Sequence, residues 1–301
     1  MKRNLYFFGC LILVLAIFHS PLTQLAELSF HNELYSHFLL IPVISLFFLW
    51  LNRQTIFEDV SYTFKAGVPI VLVGIFISGV GKSDYFKLNM NDYLSLMMFA
   101  MLTWVIGFFL LFFGSKAFRK ALFPLLFLVF IIPIPTAILD PLIRILQVGS
   151  AHITYVIFKI IGIPVFREGM VFELPGITIE VAKECSGIRS SLALIIISVI
   201  AGYLFLQAGW KRIVLVLSIF PLMIIKNAVR ISTLSLLAVY VDESWLTDSF
   251  LHRSGGIFFF LLALTLLAPV LLLLKKSEKN PGSNREERFS ETDTRLPSRR
   301  L

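Results

Sequence analysis

The chain has 301 residues, 57% of them hydrophobic, 14% aromatic and only 15% charged, with a mean hydropathy of +0.84. So little charge cannot cover a water-soluble domain of this length, whereas lipid-facing side chains need none, so the composition excludes a soluble globular protein. The net charge is +8, with eight of the 27 basic residues after Leu274 and acids interleaved among them; this is a topology signal and a solvated tail, not a nucleic-acid surface.

Met1-Lys2-Arg3 ahead of an apolar stretch imitates a secretory signal, but no small-x-small cleavage site follows and Pro21 comes soon after, so a retained first helix is expected. Apolar runs fall at about 5–19, 37–51, 66–81, 93–114, 120–139, 187–207, 212–240 and 255–274. They predict an all-α membrane protein of about eight transmembrane helices. A ninth stretch, about 141–163, carries Arg144, His152 and Lys159 at wide spacing and reads as an amphipathic helix lying at the interface. Residues 1–274 then form one polytopic membrane domain. The polar stretch 275–301 reads as a disordered cytoplasmic tail.

Orientation follows from lysine and arginine in the short loops. Lys2 and Arg3, then Lys116, Arg119 and Lys120, then Lys211 and Arg212, then Lys275, Lys276 and Lys279 all fall on one side of an eight-span chain. Glu27, Glu33, Asp242, Glu243 and Asp248 fall on the other. Both termini are expected in the cytoplasm. The long outer segment, about 140–186, holds two β-prone runs, 170–174 and 177–181, around Pro175-Gly176, which predicts a small extracytoplasmic β-hairpin.

No His-Glu-x-x-His, Cys-x-x-Cys or glycine-rich phosphate loop occurs, so no metal or cofactor is expected. His19, His31, His37 and His152 are scattered near helix ends, where interfacial histidines are ordinary. Three polar features remain. Glu184-Cys185-Ser186-Gly187-Ile188-Arg189-Ser190-Ser191 precedes the sixth run, and a small interfacial cysteine between anchoring charges explains it as well as a reactive site does. Lys226-Asn227-Ala228-Val229-Arg230 lies inside the seventh run, where a mid-depth cation costs on the order of 3 kcal/mol. Arg230 lies about 27 Å along a helix from Arg212, near the outer interface, and can snorkel; Lys226 and Asn227 lie a turn deeper and need partners. Leu251-His252-Arg253-Ser254-Gly255-Gly256 opens the last run and alone reads as an ordinary helix start.

The charge bias sets Cys185, Arg230 and His252, from three helices, at one outer level. A thiol whose pKa is lowered by neighbouring positive charge, a histidine to carry its proton and a guanidinium to hold an oxyanion make a complete nucleophilic site. Cys10 falls towards the cytoplasmic side, beyond disulfide reach of Cys185, and reads as packing. A transporter or channel with Lys226, Asn227 and Arg230 lining a path is the main alternative. It explains the intramembrane charge but not the coincidence of cysteine and histidine, and no internal repeat supports it. A non-catalytic envelope scaffold would leave Cys185→Ala harmless.

Glu-Cys-Ser-Gly-Ile-Arg at 184–189, Asn-Ala-Val-Arg-Ile at 227–231 and His252 before Gly255-Gly256 together resemble the exosortase/archaeosortase family of multi-spanning cysteine transpeptidases, over about residues 120–274. The resemblance implies Cys185 as nucleophile, Arg230 as the essential arginine and His252 as the site histidine. Glu184, Ser186, Gly187, Arg189 and Asn227 match motif positions in supporting roles. Archaeal members tend to carry arginine where bacterial ones carry this histidine; His252 and Arg253 adjoin here, and the role goes to His252. The implied partners are membrane-anchored secreted proteins with a carboxy-terminal sorting signal: a short motif (Pro-Glu-Pro in the commonest class), one helix and a basic end. Cleavage through a Cys185 thioester at the outer face of the bacterial cytoplasmic membrane, with transfer to an unidentified amine or to water, is the implied reaction. The hairpin over 165–182 is placed to cover the site or to hold the motif by strand addition.

Overall fold

The structure, a computed structural model, describes residues 2–83, 87–181, 183, 187–242 and 250–279, and only the backbone of Glu33, Arg189, residues 250–256 and Lys279. The chain divides into two compact units, 1–142 and 143–301. Five helices among the described residues are long and apolar enough to cross a membrane: Phe64–Lys82, Met90–Lys120, Thr136–Ile161, Gly209–Tyr240 and Ile257–Glu278. A sixth crossing results if α1 (Lys2–Ile17) and α2 (His19–His31), bent by 68° at their junction, are one span. The expected runs at 37–51, 120–139 and 187–207 fall on shorter apolar helices. This is a multi-pass helical membrane protein with one small sheet.

In the first unit, α1 and α2 are followed by α3 (Leu40–Leu51), α4 (Arg53–Ile56), α5 (Phe64–Lys82), α6 (Met90–Lys120) and α7 (Leu122–Phe127). Gly67, Gly74 and Gly81 recur every seven residues on α5 and face Leu111, Trp104 and Met97, spaced likewise but running the other way on α6. A β-carbon at Gly67 would stand 2.5 Å from Leu111 Cβ and 2.7 Å from its backbone, so only glycine fits. Lipid tails give helices no hydrophobic reason to associate, and close backbone contact through small residues replaces it. Phe7 of α1 meets Phe109, Phe112 and Phe113 edge-on, with Cys10 packed on the same cluster.

The run 120–139 is not one regular helix. After α7 come a 3-10 turn, Leu128–Ile131, and an extended Ile132. Pro133 and Pro135 lack amide donors and force their predecessors out of the helical region. The backbone they free is met by the start of α6: Ser95 Oγ donates to Pro133 O at 2.6 Å, Asn91 Nδ2 to Ile134 O at 2.8 Å, and Thr136 N donates to Asp92 Oδ1 at 2.7 Å. Such satisfaction is obligatory in a medium without water. The segment thus carries the chain from the end of α6 back to its beginning, where α8 (Thr136–Ile161) starts.

The second unit contains most of α8, strands β1 (Phe166–Glu168), β2 (Val171–Leu174) and β3 (Ile177–Glu180), and helices α9 (Ile188–Phe205), α10 (Gly209–Leu217), α11 (Ile219–Tyr240) and α12 (Phe250–Lys279). The expected hairpin is β2 and β3, with Leu174 opposite Ile177. Proline at the first turn position cannot take positive φ, which rules out the primed turns; Gly176 at φ 84° supplies what a type II turn needs. β1 adds to β2 as a third, antiparallel strand. Phe172 and Leu174 of β2, with Val181 just after β3, bury against Ala151 and Phe158 of α8 and Ile231 of α11.

α9 and α10 form an antiparallel hairpin about Gln207; a β-carbon on Gly202 would meet Arg212 Cβ at 3.6 Å. Arg212 Nε and Nη2 donate to Leu206 O at 2.9 and 2.8 Å. Lys211 Nζ donates to Ser277 Oγ at 2.7 Å, and Glu278 accepts from Gln207 N and Ala208 N. These contacts extend α12 through Lys279, beyond the end expected near Leu274, and gather Lys211, Arg212, Lys275 and Lys276 at the end of the unit opposite the start of α9. Residues 280–301 of the expected tail lie outside the described residues.

Candidate active site

The site is assembled from α8, α9 and α11. Gly187 caps α9 in the left-handed conformation, φ 70° and ψ 16°. Its carbonyl accepts Ser191 N at 3.1 Å, Ser190 Oγ at 3.0 Å and Ser191 Oγ at 2.7 Å, which tightens the first turn. A β-carbon on Gly187 would stand 3.1 Å from both Asn227 Oδ1 and Lys226 Nζ of α11. Glycine is needed here twice over, for the backbone angle and for the approach.

Lys226 is 2% exposed and Asn227 1%. Lys226 Nζ donates a short hydrogen bond to Ser190 Oγ. Asn227 Nδ2 donates to Ser150 Oγ of α8 at 3.1 Å. Interhelical bonds of this kind are each worth about 0.6 kcal/mol, up to about 1.7. α8 comes close to α11 because its facing residues are small: Ser150, Ala151 and Thr154 are wholly buried, and a β-carbon on Gly149 would touch Ile224 at 3.0 Å. Gln147, Ser150 and Thr154 are buried beside Leu146, Ala151 and Phe158, while Ile145 and Ile160 are exposed. Arg144, His152 and Lys159 also lie on the exposed side. Gln147, one turn before Ser150, donates from Nε2 to Val181 O at 2.9 Å, at the end of β3.

Arg230 lies one helical turn beyond Lys226 and is half-buried. Because α11 runs opposite to α9, this is the direction in which α9 begins. Two like charges at i and i+4 repel weakly, so the pair needs the polar setting that Ser190, Ser150 and Asn227 provide.

Of the sequence-expected site residues, Gly187 and Asn227 are brought into contact and Arg230 stands on the next turn. Glu184, Cys185 and Ser186 lie outside the described residues. Arg189 and His252 are helical in α9 and α12, and their side chains lie outside the description. Lys226 and Asn227 are buried in the joint between helices, and Arg230 is half-buried. Gln147 and Ser150 were not singled out by sequence, and Ser190 only as part of the polar stretch 184–191. The available signal was the Gln147–Ser150–Thr154 spacing, which puts three polar groups on one face of an otherwise apolar helix.

These features define a multi-pass membrane protein with a polar, motif-bearing joint among three helices, next to a cysteine segment. The pattern of the transmembrane exosortases matches residues 28–269, most of the chain, and the protein belongs to that family. Comparison with curated proteins and with solved structures finds no match.

Proposed function

We propose that the protein is an exosortase-type cysteine protease/transpeptidase that removes carboxy-terminal sorting signals from secreted, membrane-anchored proteins. The observation that carries this reading is the seating of Gly187, two residues after Cys185, on Lys226 and Asn227, with Arg230 on the next turn. Two separated motif stretches of an exosortase, 184–189 and 227–231, thereby meet. Cys185 Sγ attacks the scissile carbonyl carbon, the C–N bond breaks, and His252 carries the thiol proton to the leaving amine. Arg230 stabilises the oxyanion or the thiolate. An amine or water then opens the thioester and returns the thiol.

The same proposal has about eight crossings, with both termini in the cytoplasm, α8 lying near the outer interface and the site facing the periplasm of a bacterial inner membrane. Its support is the basic end of the second unit, separated from Gly187 by the length of α9, about 27 Å. Position 252 lies seven residues before Phe259 on α12, and Phe259, Ala263 and Leu267 are buried. A substrate held by its own helix presents its motif at the level of the site, which raises the effective concentration of the scissile bond.

The test is a paired expression of a substrate carrying a Pro-Glu-Pro-type signal with wild type and with Cys185→Ala, followed by mass spectrometry. Loss of the substrate's terminal helix with wild type alone is expected. Equal processing by both would remove Cys185 from the mechanism.

A further inference from the structure

We infer that α8 lies along the membrane surface and docks there on the phosphates of anionic phospholipids through an exposed arc of Arg144, His152 and Lys159. α8 has the length and apolar content to cross a bilayer, but its exposed side is not ordered like that of a crossing helix. At 3.6 residues per turn, Arg144, Lys159 and His152 fall within an arc of about 80°, and Ile145, Val156 and Ile160 within roughly the next 80°. All six are exposed. On the other flank of the basic arc come Ala151 and Phe158, which bury under the sheet against Phe172 and Leu174. The sheet therefore stands roughly opposite the aliphatic arc. The stretch 143–161 contains no acid. Among the described residues none of the three basic side chains is in an ion pair, and Lys159 Nζ lies 5.0 Å from the centre of the Tyr155 ring.

A crossing α8 would string Arg144 and Lys159 about 22 Å apart in depth and leave His152 against hydrocarbon midway. Ionisable side chains at such depth face the interior of a bundle, and these face out. Laid flat, α8 holds all three at one level and turns Ile145, Val156 and Ile160 into the acyl chains, the division found in interfacial helices. The sheet carries the same polarity independently. Arg167, Phe172 and Ile179 are partners in register and share the face that packs on α8, with the Arg167 guanidinium 5.5 Å from the centre of the Phe172 ring. Glu168, Glu173 and Glu180 occupy the far face and are exposed. Basic groups thus stand on the membrane side and acids are turned away, which suits an anionic surface and is not needed for a neutral one. Ser150, on the buried side of α8, accepts from Asn227, so the docked depth of α8 is passed to the joint that seats Gly187. The inference rests on the proposed placement of α8 near an interface and not on the proposed reaction.

The test uses the full-length protein in nanodiscs of phosphatidylcholine and phosphatidylglycerol in equal parts. In a Cys10→Ala/Cys185→Ala background, a single nitroxide is attached at Ile145→Cys or at Val156→Cys and its depth is read by power saturation. The two labels should lie at one depth. A difference of more than about 8 Å, half the rise between them along a crossing helix, would overturn the placement and the docking with it. Wild type is then irradiated with phosphatidylglycerol carrying a photoreactive headgroup, and the crosslinks are mapped by mass spectrometry. Peptides covering 143–161 should carry them, and unlabelled phosphatidylglycerol should compete better than phosphatidylcholine. An anionic surface favours each nearby cation by a factor of about five, so Arg144→Gln/Lys159→Gln should lower the yield about 10-fold or more. Arg144→Lys/Lys159→Arg, which keeps both charges, should retain the yield, as should Glu173→Gln on the far face. Equal competition by the two lipids, or an undiminished yield in Arg144→Gln/Lys159→Gln, would overturn the docking. Equal loss in the charge-keeping pair would reduce the effect to disturbed packing and overturn it as well. Substrate processing is not a readout, so failure here leaves the cysteine chemistry standing, and failure of that chemistry leaves the docking measurable.

Discussion

Gly187→Ala tests the site geometry at its tightest point. The left-handed backbone angle costs an alanine about 1–2 kcal/mol. The new methyl would stand 3.1 Å from Asn227 Oδ1 and from Lys226 Nζ. Asn227 is tied to Ser150 and Lys226 to Ser190, so neither yields freely; relief adds roughly 1 kcal/mol. The sum, about 2–3 kcal/mol, is relieved most directly by lifting Gly187 off α11. At about 1.4 kcal/mol per factor of ten, correctly seated molecules become about 30- to 100-fold rarer, and processing of the signal-bearing substrate should slow in proportion. Gly162→Ala is the control. Gly162 has φ 81° with nothing within 4 Å of a β-carbon, so alanine there meets the backbone penalty without the contact. Gly162→Ala should lower thermal stability and leave turnover of the folded protein unchanged. Retention of more than half the wild-type rate by Gly187→Ala, or equal slowing by both variants, would refute the reasoning.

Cys185 should react with a membrane-impermeant thiol reagent added from the periplasmic side, whereas Cys10, packed on the Phe109–Phe113 cluster, should not; labelling of Cys185 only from the cytoplasm would reverse the proposed topology. Arg230→Lys keeps the charge and loses the planar fork, so processing should fall about 100-fold, and full activity would mean that charge alone suffices. Gly67→Ala places a methyl against Leu111 backbone and should destabilise the α5–α6 pair by about 1–3 kcal/mol, whereas Gly79→Ala, with open space around it, should not; equal thermal midpoints would count against the glycine seam.

Several features of the fold could be read residue by residue. The Pro175-Gly176 hairpin was legible because proline and a positive-φ glycine in that order admit one common turn. β1 was not, since Phe-Arg-Glu is too short for a period and becomes a strand only beside β2. The contact of Gly187 with Asn227 was implicit in the chain, because an antiparallel helical hairpin about Gln207 sets equal distances along its two arms opposite each other. The same hairpin puts Gly202 against Arg212. The break at Pro133 and Pro135 was visible as residues but hidden in an apolar average that spans both helical and extended segments.

By itself, then, the sequence determined the membrane class, the family, the turn and the order in which the motif stretches meet, because those depend on composition, local backbone chemistry and chain connectivity. Tertiary structure alone decided that Gln147 and Ser150, far upstream on α8, reach Val181 and Asn227, and that Lys226 is buried against the first turn of α9. It likewise decided that α12 continues to Lys279, through contacts of Ser277 with Lys211 of α10 and of Glu278 with the α9–α10 loop. Those contacts depend on how each helix is rotated and how closely it crosses its neighbour. Both are set by the joint packing of small residues from distant segments, which no single stretch of sequence encodes.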